Sequence, residues 1–392
     1  MRTAEVWKMK VVAIKSIADV SSGNTPSRRK SEYWNGSIPW ITTGELESGY
    51  VTASKECVTE KALKETALKL YHKGTVLIAM YGQGKTRGTA AVLGIDATVN
   101  QACAALTMHS GCPKFLFYQL QNSYHAIRKL SNTGNQENLN AEIIKNFKIP
   151  WPDELEQQKI ATILSTQDKV IELKEKLLAQ KQQQKKYLMQ QLLTGKKRLP
   201  GFCEKWTRKQ LGELFENRVE INRNDLGLLA ITSTRGILPR DCLDLKDNSS
   251  EDKSKYLRIC PGDIGYNTMR MWQGVSAYSE YEGIVSPAYT ILAPMEGVYS
   301  RYFAYLFKTQ SVIFSFYRFS QGLVDDTRNL KYENFKKISV SIPSKVAEQR
   351  AIVQILSTAD HEIDLLQKSI EAEKQKKKAL MQLLLTGTVR VK

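Results

Sequence analysis

The sequence predicts an α/β (α+β) fold. Two globular domains alternate with two long helices that pair antiparallel as a coiled coil, and the halves are related by an internal pseudo-two-fold repeat. Three observations lead there. One stretch occurs twice: it opens EQQKIATILST at Glu156 and closes LMQQLLTG at Gly195, then opens EQRAIVQILST at Glu348 and closes LMQLLLTG at Gly387. Both ends are displaced by 192 residues, so the copies stay in register without an insertion. Neither copy holds a proline or glycine before its closing Thr-Gly, so each reads as one unbroken helix that ends where glycine can take the left-handed cap. Each copy is preceded by a segment of short apolar runs between Gly, Pro, Asn and Ser turns, the pattern of a mixed α/β globule.

The helices carry a narrow seam. Alternate steps of four and three residues from Ile352 reach Leu356, Ala359, Ile363, Leu366, Ile370, Glu373, Lys377, Leu380 and Leu384, eight of the ten positions being apolar. The first copy gives Ile160, Leu164, Gln167, Ile171, Lys174, Leu178, Lys181, Lys185, Leu188 and Leu192, with six apolar. A helix of about 57 Å with so thin a stripe is not stable alone, and the natural partner of each copy is the other. The apolar seam residues are therefore the expected helix and subunit interface. The basic runs Lys181–Lys186 and Lys374–Lys378 interrupt both seams at the same place, either as a solvated face or as a contact with a partner subunit or DNA.

The chain divides into residues 1–153 (globule), 154–199 (helix), 200–345 (globule) and 346–392 (helix). In the first globule Val11 to Gly23 is a short amphipathic segment running into a turn, and Ser37 to Gly44 a strand entering a polar loop. Gly74 to Met80 is a strand followed by the loop Tyr81 to Gly88. Phe115 to Leu130 is expected as a helix, Asn132 to Gln136 as a turn, and the prolines of Phe147 to Pro152 break regular structure ahead of the long helix. The second globule repeats the plan. Pro261 to Tyr266 matches Tyr71 to Gly74 and the strand after it, Asn267 to Gly274 matches the loop, Ile284 to Ala288 matches Thr98 to Ala102, and Asn334-Phe335-Lys336 matches Asn146-Phe147-Lys148.

With 42% hydrophobic residues the chain can fill its cores, and it has no apolar run long enough to span a membrane. The six cysteines lack any C-x-x-C pair, which suits reduced thiols in a cytoplasmic protein rather than a disulfide or zinc framework. Net charge is +17, and all four segments are basic, so the excess is not one tail. Such a surface usually meets a polyanion, of which nucleic acid is the commonest.

The chain shows little chemistry of its own. Gly82-Gln83-Gly84-Lys85-Thr86 ends like a phosphate loop but has Ala79 where the first glycine belongs, and a dinucleotide fingerprint fails at Arg87. No N-P-P-Y or D-P-P-Y sequence is present, and the four histidines have no metal-ligand spacing. Acidic-x-Lys patterns around Asp241, Asp244 and Glu251 are those expected by chance. No catalytic and no metal-ligating residues are assigned.

A globule, then P-x-x-x-E-Q-x-x-I opening a long helix, then LLTG and a second round of the same, resembles the specificity (S) subunit of type I restriction-modification enzymes. The residues are Pro152, Glu156, Gln157, Ile160, Leu164 and Leu192 to Gly195, then Pro343, Glu348, Gln349, Ile352, Leu356 and Leu384 to Gly387. The linker Lys196 to Phe202 is also like the family's. The second proline-to-glutamate step is one residue longer, which leaves the hinge geometry open. The resemblance implies two target-recognition domains, each reading half of a bipartite double-stranded DNA target. It implies two methyltransferase (M) subunits docked on the helices and restriction (R) subunits added to them. S-adenosylmethionine, ATP and Mg would be held by those partners, with no cofactor on this chain. A coiled-coil tether with two protein-binding globules is the alternative.

Base and phosphate contacts need amide, hydroxyl and guanidinium groups on loops that a backbone can bring close to DNA. The candidates are Thr42, Thr43, Gln83, Lys85, Thr86 and Arg87 in the first domain, and Thr232, Ser233, Arg235, Asn267, Arg270, Trp272 and Gln273 in the second. Trp40 and Trp151 read as packing residues.

Overall fold

The computed structural model describes residues 9–82, 84–131, 138–232, 236–242 and 252–391. It falls into two units, residues 1–175 with 368–392 and residues 176–367, and the division lies inside the long helices. Among the described residues no helix is long and apolar enough to cross a membrane, and the six cysteines are free thiols.

In the first unit a five-stranded sheet runs in the order Ala18–Ser22, Cys103–Met108, Val76–Ala79, Ala90–Leu93, Tyr50–Val51. It is antiparallel apart from the last pair. Period-two alternation sends Val76 and Ile78 to one core and Leu77 and Ala79 to another. The first of these cores is closed by the helix Pro113–Asn122 and by Ile160, Leu164, Leu384 and Leu385 of the long helices. A small sheet, Glu56–Val58, Trp34–Ile41 and Thr98–Val99, completes the unit. There Trp40 is buried, edge-on to Trp34, and Trp151 packs edge-on to Phe115. The expected helix over Phe115–Leu130 is two helices, Pro113–Asn122 and Tyr124–Lys129. The chain bends out of helical geometry at Ser123 (ψ 5°).

The second unit has a four-stranded antiparallel sheet in the order Phe215–Asn217, Tyr289–Pro294, Ile264–Asn267, Ser276–Tyr278. Ile264 and Tyr266 face a core that contains Leu192, Ile352 and Leu356 of the long helices. The shared plan is visible in the hydrogen bonds. Gly74 N–H reaches Leu93 O in one unit and Gly262 N–H reaches Ser279 O in the other. Likewise Trp40 pairs parallel with Thr98, and Leu228 with Ile284. One correspondence shifts: Ile14 N–H bonds to Phe147 O and Leu211 N–H to Ile338 O, so the counterpart of Phe147 is Ile338 and not Phe335.

The long helices span Glu154–Leu192 and Val346–Leu385. Gly195 and Gly387 take φ of 70° and 76°, and Lys197 N–H and Val389 N–H reach back to Gln191 O and Leu383 O, closing both helices with the same left-handed cap. Of the seam residues, Ile160, Leu164, Ile171, Leu192, Ile352, Leu356, Ile370 and Leu384 are buried, and Leu178, Leu188, Ile363, Leu366 and Leu380 are half-buried. Each fully buried Leu or Ile contributes roughly 1.5–3 kcal/mol. Despite the extra residue after Pro343, both hinges keep one bond: Gln157 donates to Pro152 O at 2.8 Å and Gln349 to Pro343 O at 3.0 Å.

Within each unit the helices run antiparallel, and their polar seam positions pair. In the first, Gln167 and Lys174 both reach Glu373, Lys374 reaches Glu175, and Lys377 lies 2.6 Å from Asp168. In the second, Lys181 pairs with Glu362 and Lys185 with Asp360. Neither reading of the basic runs therefore covers these four lysines, because each is matched by a carboxylate of the other helix. Asp168 also accepts a 2.7 Å bond from Tyr118 and Asp360 a 2.6 Å bond from Tyr305. Lys377 and Lys185 stand over those rings. The same three-residue key thus fastens each globule to its helices. Burial and the neighbouring aspartate hold both phenols well above the usual tyrosine range. A second repeated contact explains the glutamate of the E-Q pair. Glu156, buried, receives Arg390 and Val391 N–H, and Glu348, buried, receives Arg198 at 2.7 and 2.8 Å.

Candidate nucleic-acid interface

In the first unit the loop after strand Val76–Ala79 is closed by Ala79 N–H to Thr89 O and Gly88 N–H to Ala79 O. Gly82 has φ 138°, and a Cβ there would lie 2.8 Å from Thr86 Cβ, so the turn requires glycine. Two residues of the helix Tyr124–Lys129 brace it. Tyr124 donates to Lys85 O at 2.7 Å, and Arg128 donates to Arg87 O at 2.6 Å and Gly84 O at 2.9 Å. These braces were not found in the sequence, since neither residue lies near the loop in the chain. Lys85 is exposed and Thr86 half-buried. Arg87 corrects the expectation of an open side chain: it is only 7% exposed. Thr42 is also partly committed, since Glu45 accepts both its N–H and its hydroxyl at the start of the turn Thr43–Ser48, where Thr43 is half-buried. Gln83 lies outside the described residues.

In the second unit the corresponding loop leaves strand Ile264–Asn267. Asn267 Oδ1 accepts from Met269 N–H, and Trp272 Nε1 donates to Met269 O at 2.9 Å, so both side chains shape the loop from within. Arg270 and Gln273 are exposed beside them. Trp272 packs against Tyr317 of the helix Gln310–Phe319, and Arg328 lies over the Tyr317 ring, 4.0 Å from its centre. Thr232 donates to Gly236 O across its hairpin. Ser233 and Arg235 lie outside the described residues.

Lys308 anchors the far end of this loop, donating to Gly274 O at 2.7 Å and Ser276 O at 2.6 Å. Burial, with the charge of Lys185 adding to it, lowers its pKa to about 8. Between that value and about 10.4 the unfolded chain holds a proton that the folded chain has released. Folding is therefore favoured as pH rises through this window, and the full penalty of the buried charge applies below it. Comparing the melting of wild type and Lys308→Met from pH 7 to 10 checks this. Wild type should gain on the variant across that range, and parallel curves would show that the group does not titrate there.

Two loops with different side chains thus occupy the same place after the same strand in two units of one plan. The model of the type I restriction modification DNA specificity domain matches residues 7–183 and 250–374, most of the chain. The chain belongs to this family. Among its relatives, the type I restriction enzyme MjaIX specificity subunit of Methanocaldococcus jannaschii is 35% identical over 43% of this chain. The EcoR124I/EcoR124II specificity subunit of Escherichia coli is 30% identical over 37%. These matches span 40% and 37% of the relatives' own lengths. The MjaVIII specificity subunit of M. jannaschii is 24% identical over all of this chain and 95% of its own. In fold, the type I S subunit of M. genitalium covers 98% of both chains with a TM-score of 0.60 at 17% identity. A chain from a structural study of type I complex assembly and conformational transition gives 0.61 at 14% identity over 98% of this chain and 99% of its own. Family membership accounts for the double construction of globule and helix.

Proposed function

We propose that this chain is the sequence-specificity subunit of a type I restriction-modification enzyme, each unit reading one half of a bipartite duplex. The observation that supports it most is the recognition-loop position, built twice on one scaffold with unlike side chains. Two copies of one binding surface would read the same word, whereas Lys85 and Thr86 in one unit and Arg270 and Gln273 in the other read different ones. Thr43, Gln83, Thr232, Ser233 and Arg235 complete the proposed contact set. Asn267, Trp272, Thr42 and Arg87 act by holding the loops in shape.

Chemistry would be supplied by others. The long helices would dock two methyltransferase subunits that carry S-adenosylmethionine and methylate adenine. Restriction subunits would add ATP- and Mg-dependent translocation and cleavage, and the assembly would work in the cytoplasm. This chain would itself be non-catalytic.

Mapping methylated adenines genome-wide, with and without the gene, tests the proposal by returning two short words across an unspecified gap. Arg270→Ala is expected to relax one word only, with a loss of about 1–3 kcal/mol in discrimination if Arg270 contacts a base edge. An equal loss on every sequence would make it a phosphate contact. Binding should also fall steeply with added salt as counterions are released. A salt-independent complex would point to a protein tether.

A further inference from the structure

The loop from Ser320 to Asn329 in the second unit has an unusual tip. Its base is clamped by a two-way bridge, Gln321 N–H to Asn329 O and Asn329 N–H to Gln321 O, both 2.8 Å. Inside it, Thr327 N–H and hydroxyl both return to Val324 O. Arg328 binds Asp325 at 2.9 Å and the Tyr317 hydroxyl at 2.9 Å. Gly322 has φ 129° and backbone packed so closely that no Cβ fits, Thr327 O being 2.6 Å away. A loop braced this thoroughly has already lost its conformational freedom. Yet it holds Leu323 98% exposed and Val324 59% exposed.

The tip is tied to the candidate recognition loop. Leu330 N–H bonds to Thr268 O, and Tyr317 links the two loops, carrying Arg328 over its ring and meeting Trp272 edge-on. The recognition loop adds an exposed apolar residue of its own, Met269, next to exposed Arg270. A bare leucine on a braced loop, with a methionine and an arginine on the loop tied to it, is the kind of surface with which proteins part a base step while neutralising the neighbouring phosphates. A single exposed apolar residue carries no meaning. Here two adjoining exposed residues lie on a braced loop that is tied to the loop carrying a third, Met269, and the cation Arg270.

We propose that Leu323, supported by Val324 and Met269, is a wedge that enters the stack of the bound duplex in the half-site read by the second unit. The inference rests on the DNA-reading function proposed above. Its consequence is specificity without a hydrogen bond. The half-site should favour a flexible pyrimidine–purine step at the point of insertion, where unstacking is easiest.

The test uses this chain assembled with its methyltransferase subunit and duplexes of the mapped target. The fluorescent base 2-aminopurine replaces each position of that half in turn. Wild type is expected to raise fluorescence at one step apart from the methylated adenine, which the methyltransferase itself would flip. Leu323→Ala should lose that rise and bind the target about 3- to 30-fold more weakly, while Leu323→Met keeps both. The substitutions lie at an exposed tip, and an unchanged melting temperature confirms the fold. No rise with wild type at any position but that adenine, or no difference between wild type and Leu323→Ala, overturns the wedge. Loss of the methyltransferase subunit in place of DNA affinity would also overturn it, by making the tip a protein contact. If wild type fails to separate target from scrambled duplex, the DNA reading itself falls.

Discussion

Deleting residues 172–178 together with 365–371 is expected to abolish modification of the native target and transfer it to one whose gap is shorter by about 3 base pairs. Both helices run unbroken from one unit into the other. Seven residues are one full repeat of the four-three seam, two helical turns, so every remaining seam residue keeps its face. The deletion takes about 10 Å from each helix, and DNA rises about 3.4 Å per base pair. Lys174 and Ser369, paired at 2.8 Å, leave together. Adenine mapping of the variant gives the answer. An unchanged gap would mean that helix length does not set the spacing, and the proposed division of labour would fail with it.

Lys377→Glu is expected to loosen the first unit and, with it, only the word that unit reads. The substitution sets two carboxylates against each other beneath the Tyr118 ring, in place of an ion pair. Breaking a fully buried pair costs about 3–5 kcal/mol, and because Asp168 keeps 38% of its exposure, about 2 kcal/mol is the reasonable figure here. Adding Asp168→Lys restores the opposite charges and, although it gives up the Tyr118 bond, the double variant should be more stable than the sum of the two single losses predicts, as melting curves of the four proteins of the cycle will show. Lys185→Glu with Asp360→Lys repeats the experiment in the second unit and should affect the other word. Strictly additive losses in either cycle would mean that the lysine matters for packing and not for charge.

The helices could be read from the sequence because their signals are local: a four-three seam, no interrupting glycine or proline, and a glycine at each end. The strand Val76–Ala79 was legible for the same reason, with glycine before it and a glycine-rich loop after. What failed depends on distant partners. Lys181 and Lys185 looked unpaired along their own helix because Glu362 and Asp360 lie 181 and 175 residues away. Arg87 has the right chemistry for reading bases, but residue type says nothing of burial, and this side chain is 7% exposed. The mismatch of Phe147 with Phe335 came from matching identical letters, where the backbone bonds set the counterpart at Ile338.

The first unit is sewn from both ends of the chain. Gln119 donates to Leu385 O, Arg390 grips Glu156, and Leu384 and Leu385 sit in the same core as Val76. On the ribosome, the domain translated first is therefore the last to be finished. It must wait with an open core until some two hundred further residues have emerged, while residues 176–367 can close beforehand. A stop codon near residue 368 would spare the later-made half and cripple the earlier one. It would also leave a nascent surface for chaperones to shield.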